Sequence, residues 1–565
     1  MEENLKQQST SIIKIAMLGP ESTGKTTLSE QLADHFQTVW TPEFARNYLQ
    51  QKWNAKQQIC APDDLLPIAI GQTKLENESL NIANKYLFCD TNLLVTKVFS
   101  EIYYNFCDPM LDKAARKHKY DLFFLTDIDV PWQKDDLRDK PKDRENVFEI
   151  FKKALIENQK PFITLSGNEN ERLKKAIAIV ENLENAKKMG FSSQDFVQIY
   201  NHGITLENIE NQISIFKKGV AKTILDRAAT INDGIIKLSD SDWQHYIDLF
   251  ETEKSNHKLC KFVPASGAAS RMFKFLLEFI NNYDKQNETI NAYINRKKAV
   301  DLSIFLVGLD KFPFYKKVNT LLEKTNSDYN KNAKDVKDYL FIKMLLSSEY
   351  FDFSNKPKGI LPFHNYETHI ATPIEEHLNE CVCYASSNGK ANLHLTISGH
   401  NQTDFDKIIN KNKSFIETQF QTKINIDFSN QNKNTDTIAV DLENNPMRNE
   451  NGNLIFRPAG HGALIQNLNE IDADIIFIKN IDNIIQNHIE TIGFYKKGLA
   501  GILINLQQKI FRYLLKMGHY RLIDSDLEEI LNFVKINLNI EIGEDFNKFT
   551  LQNKTEFLKT TLNKP

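Results

Sequence analysis

Short apolar runs alternate with longer stretches of helical periodicity over the first 185 residues of the chain. The runs are rich in β-branched and aromatic side chains, which is typical of buried strands. Strands that alternate with helices predict a parallel sheet that is covered by helices on both faces. The runs lie at residues 12–18, 37–40, 86–89, 121–126 and 161–165.

The pattern changes after residue 185. Helical periodicity continues to about residue 255, and strand-like runs at 258–264, 393–401 and 473–483 then predict a second α/β domain. We therefore predict four parts: a first α/β domain at 10–185, a helical connector at 186–255, a second α/β domain at 256–500 with a helical insertion at about 275–350, and a helical tail at 501–565.

Composition narrows the class of protein. The chain has 565 residues, a net charge of -4 and 41% hydrophobic residues, as in soluble proteins of several domains. It has no excess of basic residues to attract nucleic acid, and no apolar run long enough to span a membrane or form a signal peptide. Six cysteines without metal-ligand spacing indicate reduced thiols. We expect a cytoplasmic protein that acts on small molecules, without a nucleic-acid or membrane partner.

The first apolar run leads into a glycine-containing turn and then a helical pattern. Gly19, Gly24, Lys25 and Thr26 fit the phosphate-binding pattern G-x-x-x-x-G-K-T. Glycines let backbone N–H groups surround a phosphate, while Lys25 reaches the β- and γ-phosphates and the Thr26 hydroxyl ligates Mg2+. The alternative is an ordinary βα turn, but chance produces the pattern in only about two of a hundred chains of this length. The residues predicted to hold ATP are Gly19, Ser22, Thr23, Gly24, Lys25, Thr26 and Thr27.

Residues that follow the apolar runs are candidates for chemistry, because ligands of parallel sheets bind at the carboxyl ends of the strands. Asp90 follows the run at 86–89, where a carboxylate can bind Mg2+ or accept a proton from a substrate hydroxyl. A helix N-cap is an equally common role for such an aspartate. Glu43 and Arg46 follow the run at 37–40 and are predicted to contact the substrate, the alternative being a surface ion pair.

A highly charged segment at 132–144 follows the fourth run. A charge run is usually a solvated face. This one lies where small-molecule kinases place a lid, and arginines on a lid neutralise the charge of a transferring phosphoryl group. We predict that Arg138 and Arg144 belong to a lid, with Arg138 catalytic and Arg144 in contact with ATP.

The segments at 19–26, 42–46, 88–92 and 135–138 resemble, in order and spacing, the nicotinamide-riboside kinase domain of bifunctional NMN adenylyltransferases. The resemblance covers roughly residues 10–185, the length of one domain. It implies a P-loop kinase fold and ATP-dependent phosphorylation of the ribose 5'-hydroxyl of ribosylnicotinamide. It further implies that Asp90 serves the substrate hydroxyl or the metal, and that Arg138 belongs to the lid. The family often carries an adenylyltransferase domain ahead of the kinase, and we expect that activity to be absent because few residues precede the first strand.

Five segments of the second half, at 266–272, 357–358, 396–404, 458–462 and 481–483, resemble in order the motifs of UDP-sugar pyrophosphorylases. The resemblance covers roughly residues 255–500, again of domain size. It implies a nucleotidyltransferase-like domain of the GT-A type, which joins a sugar 1-phosphate to UTP or another nucleoside triphosphate and expels pyrophosphate. The implied contacts are Gly267, Arg271 and Lys358 to phosphates, Gly460 and His461 to the base, and Asp482 to Mg2+.

The first of these segments departs from the family's pattern. Two of its three expected glycines are replaced by Ser266 and Ala269, and a Cβ atom at Ala269 clashes if that position needs a positive φ angle. The two halves together predict a bifunctional enzyme, a nucleoside kinase fused to a nucleotidyltransferase-like domain. The alternatives are a regulatory ATP-binding protein whose second part senses a nucleotide or metabolite, and a kinase for nucleoside monophosphates. The oligomeric state stays open.

Overall fold

A computed structural model of the protein describes residues 2–132, 143–231, 233–485, 487–519 and 522–563. The chain divides into two compact units. The first unit comprises Met1–Ala221 and Lys433–Pro458, and the second comprises Lys222–Asn432 and Ala459–Pro565. The stretch predicted as one helical connector, 186–255, is thus divided between the two units.

Strands and helices alternate over residues 13–188, as the sequence predicts for residues 10–185, and two further helices follow. The elements are β1 (Ile13–Leu18), α1 (Lys25–His35), β2 (Val39–Thr41), α2 (Phe44–Lys56), α3 (Pro62–Leu80), β3 (Tyr86–Cys89), α4 (Leu93–Tyr104), α5 (Pro109–Lys117), β4 (Leu122–Thr126), α6 (Arg144–Glu157), β5 (Phe162–Leu165), α7 (Glu169–Lys188), α8 (Ser193–His202) and α9 (Leu206–Lys218).

The predicted parallel sheet is confirmed in the first unit. Its five strands are all parallel and have the order β2-β3-β1-β4-β5. Alternate residues of β1 enter two different cores, with Ile15 and Met17 in one and Ala16 and Leu18 in the other. Helices therefore cover both faces of this sheet, and its β1 strand is buried along its whole length.

The second half of the chain also mixes strands and helices. From residue 222 onward the elements are β6 (Thr230–Ile231), β7 (Gly234–Ile235), α10 (Asp240–Glu253), β8 (Leu259–Pro264), α11 (Lys274–Asn282), α12 (Ile290–Lys297), α13 (Val300–Val307), α14 (Tyr315–Thr325), α15 (Lys334–Leu346), β9 (His364–Asn365), β10 (Ile370–Ala371), α16 (Pro373–Tyr384), β11 (Ser386–Ser387), β12 (Lys390–Ile397), α17 (Gln402–Phe420), β13 (Lys423–Asn430), β14 (Thr437–Ile438), β15 (Phe456–Arg457), α18 (Ile465–Asn469), β16 (Ile475–Ile478), α19 (Ile489–His519), α20 (Asp524–Asn537) and α21 (Leu551–Leu562).

The second unit is built around a sheet of its own. Strands β13, β12, β8 and β16 are parallel neighbours in that order, and the short β11 pairs antiparallel with the start of β12. The predicted insertion consists of α11–α15, which share a core rich in phenylalanine. The tail helices α20 and α21 pack with the end of α19 around another core. Among the described residues, no helix is both long and apolar enough to span a membrane.

A hairpin from the second half of the chain completes the core of the first unit. It contains β14 and β15, and its Ile438 and Leu454 are buried in the same core as residues of α7, α8 and α9. Gln198 of α8 donates to Leu454 O at 2.7 Å, and its Oε1 accepts from Leu454 N at 2.8 Å. Residues more than 200 positions apart are therefore needed for one folded unit.

The hairpin is fixed by an ion pair between Arg448 and the buried carboxylate of Asp195, at 2.5 and 2.8 Å. Burial opposes ionisation of Asp195, but the hydrogen bonds from Arg448 and Ser192 outweigh it and lower its pKa. A carboxyl with a depressed pKa contributes stability above the unfolded-state value of about 3.9, and loses it as pH falls through the folded-state value.

We expect Arg448→Ala to lower the free energy of unfolding by roughly 1–3 kcal/mol at pH 7, since a buried carboxylate loses its partner while the arginine itself is partly exposed. Without Arg448, the hydrogen bonds from Ser192 remain but oppose burial less completely, so the pKa of Asp195 rises and protonation relieves the variant at a higher pH than the wild type. The difference in urea midpoint should therefore shrink between pH 7 and pH 4. Arg457→Ala, an exposed arginine of the same hairpin, is the control. A difference that stays constant with pH would contradict the assigned role of this pair.

Candidate functional site

The turn between β1 and α1 has the conformation that its two glycines allow. Gly24 has a φ angle of 79° and caps α1, and Gly19 has a φ angle of 153°. A Cβ atom at Gly19 would lie 2.4 Å from Thr126 Oγ1 and 2.9 Å from Thr126 O. The Thr23 side chain is buried and donates to Pro20 O at 2.8 Å. The turn is therefore a compact loop that ends at a helix N-terminus, as phosphate binding requires.

Lys25 and Thr26 make the contacts that place them at the centre of this turn. The Lys25 ammonium donates to Gly19 O at 2.9 Å and to Pro20 O at 2.7 Å. The Thr26 hydroxyl donates to Asp90 Oδ2 at 2.7 Å, so the carboxylate after β3 meets the first turn of α1. The structure thus brings together Lys25, Thr26 and Asp90, which lie up to 65 positions apart.

Asp90 is almost fully buried, with 3% of its surface exposed. Burial raises the pKa of its carboxyl, and the hydrogen bond from Thr26 opposes that rise. Its Oδ1 has no hydrogen-bond partner in the part of the chain that the structure describes. Asp90 does not line the cavity in front of the turn and reaches it through Thr26. Two oxygen ligands at this place, one of them charged, suit Mg2+.

A cavity of about 1000 Å³ opens in front of the turn and lies entirely within the first unit. Residues 21–28 of the turn form one side, and Glu43 and Arg46 contribute charge. Its other walls are mostly apolar and aromatic, with Trp53, Phe99, Tyr103 and Tyr104 among them. A cavity with a phosphate-type turn and flat aromatic walls is suited to a substrate that carries a planar ring.

Two arginines contact backbone carbonyl groups of the turn, and one of them, Arg172, also lines the cavity. Arg144, at the start of α6, donates to Ser22 O at 3.2 Å and to Val130 O at 2.9 Å. Arg172, in α7, donates to Thr23 O at 2.6 Å. Arg172 is absent from the predicted site, because it follows two glutamates near the start of a charged helix and no sequence signal separates it from a surface residue. Arg138 lies outside the described residues.

The candidates of the second unit come together in part. Lys358 Nζ lies 2.6 Å from Asp482 Oδ2, and Lys358 N donates to Gly267 O at 3.1 Å. These three residues therefore lie at the carboxyl end of the β8–β16 pair. Arg271 is exposed in the turn that follows Gly267, and Gly460 is exposed in a loop before α18. The side chain of His461 is not among those that the structure describes.

The loop that carries Asp482 is supported by a buried ionic cluster. Lys479 Nζ lies 2.5 Å from Glu380 Oε1, and Lys261 Nζ lies 2.9 Å from Glu380 Oε2. Burial lowers the pKa of Lys261 to about 8, against the opposing charge of Glu380. Among the described residues, no group of three or more His, Cys, Asp and Glu side chains is arranged to hold a metal ion. A metal at Asp482 would thus need ligands other than these.

Comparison with known families separates the two halves of the chain. A family model described as "AAA domain" matches residues 14–172. A model described as "Domain of unknown function (DUF4301)" matches residues 192–565. Residues 173–191, which include most of α7, lie between the two matches.

The first half is similar to two proteins called "Trifunctional NAD biosynthesis/regulator protein NadR". The protein of Salmonella typhimurium is 29% identical over 151 residues, which are 26% of this chain and 37% of that protein. The protein of Escherichia coli is 27% identical over 172 residues, 30% of this chain and 42% of that protein. The predicted resemblance of the first half is confirmed, while the chain spans less than half the length of these curated relatives.

Two solved structures also align with this part of the chain. They are described as "Crystal structure of NadR protein in complex with NR" and "Crystal structure of NadR protein in complex with NAD and AMP-PNP". Each is 20% identical, has a TM-score of 0.26 and covers 30% of this chain, with 50% and 49% of the respective solved chains aligned.

Proposed function

Because this chain belongs to the family described as "Domain of unknown function (DUF4301)" and carries a NadR-like P-loop domain ahead of that region, we propose that its first unit is an ATP-dependent nucleoside kinase. The proposed acceptor is nicotinamide riboside or a related nucleoside. The observation that carries the proposal is one cavity that joins the phosphate-binding turn, the Thr26–Asp90 pair and a wall of aromatic rings.

The residues of the turn divide the work of holding ATP. The backbone N–H groups of 22–26 surround the phosphates, and Lys25 exchanges its bonds to Gly19 O and Pro20 O for phosphate oxygens. Thr26 and Asp90 would hold Mg2+, which, when bound, neutralises charge on the transferring group. Because Asp90 is buried behind Thr26, its position supports this role more than direct contact with the substrate hydroxyl.

The other side of the cavity would hold the acceptor. Trp53, Phe99 and Tyr103 offer flat faces on which a pyridine or purine ring can stack. Glu43 and Arg46 line the same cavity as these rings and the turn, and we propose that they contact the sugar. The acceptor oxygen then lies near the terminal phosphate, and transfer depends on positioning and charge neutralisation.

For the second unit we propose a nucleotide site, with UTP or a similar triphosphate as its ligand. The Lys358–Asp482 pair beside Gly267 supports this, because it places a cation, a carboxylate and exposed turn backbone at the carboxyl end of a parallel sheet. If the second unit transfers a nucleotidyl group, the protein is a bifunctional enzyme. If the unit only senses the nucleotide, the regulatory alternative holds.

We expect Lys25→Ala to lower formation of phosphorylated nucleoside at least ~100-fold, since the cation nearest the transferring phosphates is lost. The assay incubates the full chain with ATP, UTP and a panel of nucleosides and sugar phosphates, and identifies the products by mass spectrometry. Lys74→Ala, an exposed lysine of α3, is the control and should leave the products unchanged.

Two outcomes would overturn parts of the proposal. A wild-type chain that binds ATP and phosphorylates no nucleoside supports the regulatory alternative. A Lys358→Ala variant that forms every UTP-dependent product at the wild-type rate removes Lys358 from the second site, without touching the kinase claim.

A further inference from the structure

Two successive carbonyl groups of the phosphate-binding turn are each held by an arginine of a different helix. Arg144 Nη2 donates to Ser22 O at 3.2 Å, and Arg172 Nη1 donates to Thr23 O at 2.6 Å. Both carbonyls belong to the segment whose N–H groups are proposed to surround the phosphates. The arginines therefore act on the peptide units that form the phosphate cradle.

The planarity of the peptide bond links these contacts to phosphate binding. In a trans peptide unit the C=O and the following N–H point in opposite directions. Holding the Ser22 and Thr23 carbonyls against the guanidinium groups therefore turns the N–H groups of Thr23 and Gly24 away from the arginines. Thr23 and Gly24 line the cavity together with Arg172, and the N–H groups fixed in this way are among those proposed to bind the phosphates.

The side chain of Arg172 is held in place more firmly than the side chain of Arg144. Only 4% of its surface is exposed, and its Nη2 also donates to Asp127 O at 2.9 Å and to the carboxylate of Asp129. Asp129 Oδ2 in turn accepts from Gly167 N at 2.5 Å. One guanidinium thus connects the turn with the segments that follow β4 and β5.

The Asp129 carboxyl that contacts Arg172 is ionised at neutral pH. Burial works against ionisation of Asp129, yet hydrogen bonds from Gly167 and Arg172 lower its pKa. Burial, followed by the charge of Arg172, lowers the pKa of Arg144, and the two guanidinium groups donate to successive carbonyl groups of the turn. The Asp129 carboxylate therefore holds Arg172 in place against the charge of Arg144.

We infer that Arg172 is a positioning residue for the triphosphate: it orients the backbone cradle through Thr23 O and is itself oriented by Asp129. The inference rests on ATP as the ligand proposed for this turn. Replacing Arg172 is therefore expected to weaken ATP binding, because the aligned N–H groups contact the phosphates before and during transfer. Among the described residues, Arg172 donates to Thr23, Asp127 and Asp129 and not to the aromatic residues proposed to hold the acceptor, so acceptor binding should be unaffected.

The test measures ATP binding and steady-state kinetics of the full chain in parallel. Arg172→Gln should raise the Kd and KM for ATP about tenfold, the loss expected for a charged hydrogen bond to the backbone. The KM for the nucleoside should stay within about twofold. Arg172→Lys should recover part of the ATP affinity, because an ammonium can donate to Thr23 O but not to all three partners at once. Arg116→Gln, an exposed arginine paired with Asp112, is the matched control.

Each possible result of this test has one interpretation. If Arg172→Gln lowers the melting temperature but binds ATP like the wild type, Arg172 only stabilises the fold and the inference is wrong. If Arg172→Gln does not fold, Asp129→Asn replaces it, and unchanged ATP affinity in that variant overturns the inference equally. If the wild type binds no ATP in the direct assay, the proposed function fails first, which is distinguishable because that result does not involve Arg172.

Discussion

Asp90→Asn should reduce the turnover number of the kinase reaction about 10²–10³-fold, which is the cost of removing a preorganised charge from a phosphoryl-transfer site. Asparagine keeps the size of the side chain and can accept the Thr26 hydrogen bond. It cannot supply the negative charge that would hold Mg2+ beside Thr26. The loss should therefore appear in turnover at saturating ATP, measured as rate against Mg2+ concentration.

The same substitution should leave the fold intact or stabilise it. The pKa of Asp90 is raised because the charged carboxylate is buried, so ionisation at neutral pH costs folding free energy. By linkage, a group with a raised folded-state pKa supports stability below its unfolded-state pKa and loses that support as pH rises. Asparagine is neutral throughout, and the melting temperature at pH 7 should not fall.

A decrease in activity together with an unchanged or higher melting temperature separates a site residue from a structural one. Asp34→Asn is the control, since Asp34 is an exposed residue of α1 that does not line the cavity. It should change neither quantity. An Asp90→Asn enzyme with wild-type turnover would show that the carboxylate takes no part in the chemistry.

The signals from which the sequence predicts the first site are local. The apolar runs, the glycines and Lys25 lie within one strand–turn–helix segment, and parallel strands bring their carboxyl ends to one edge. That topological rule alone places Asp90 near Thr26 across 64 positions, and the structure shows the hydrogen bond between them. The aromatic wall follows no such rule, since Trp53 and Phe99 lie on separate helices with ordinary amphipathic patterns.

The parts that the sequence does not predict depend on contacts between distant segments. Arg172 reads as a solvated residue of a charged helix, and only the tertiary structure shows its guanidinium against Thr23 O. The hairpin at 433–458 is rich in asparagine and charge, which is typical of a surface loop, yet its Ile438 and Leu454 complete a core. Lys358 and Asp482 are predicted separately as phosphate and metal contacts, and their ion pair appears only in the fold.

Gly501→Ala should destabilise the second unit by roughly 1–3 kcal/mol, the usual cost of overpacking a core. Gly501 lies in α19, and a Cβ atom there would be 1.9 Å from Tyr246 O and 2.6 Å from Tyr246 C in α10. The obstacle is backbone, so it cannot rotate away, and the two helices must separate. At Gly498, three positions earlier, a Cβ atom would lie 2.5 Å from the ring of Trp243.

Whether Gly501→Ala raises or lowers the stability of the second unit distinguishes a close contact between two helices from an open helix position. Alanine is favoured over glycine in a helix interior by about 1 kcal/mol, so an open position would gain stability from the same change. Among the described residues, no atom lies within 4 Å of a Cβ added at Gly518, also in α19, and Gly518→Ala is the matched control that should be neutral or stabilising. Thermal unfolding gives the sign for each variant. Hydrogen exchange of peptides from α10 and α19 should rise only in Gly501→Ala, because the close approach of these two helices is the contact that the methyl group disrupts. If both variants gain stability, the α10 and α19 backbones are further apart than this packing requires.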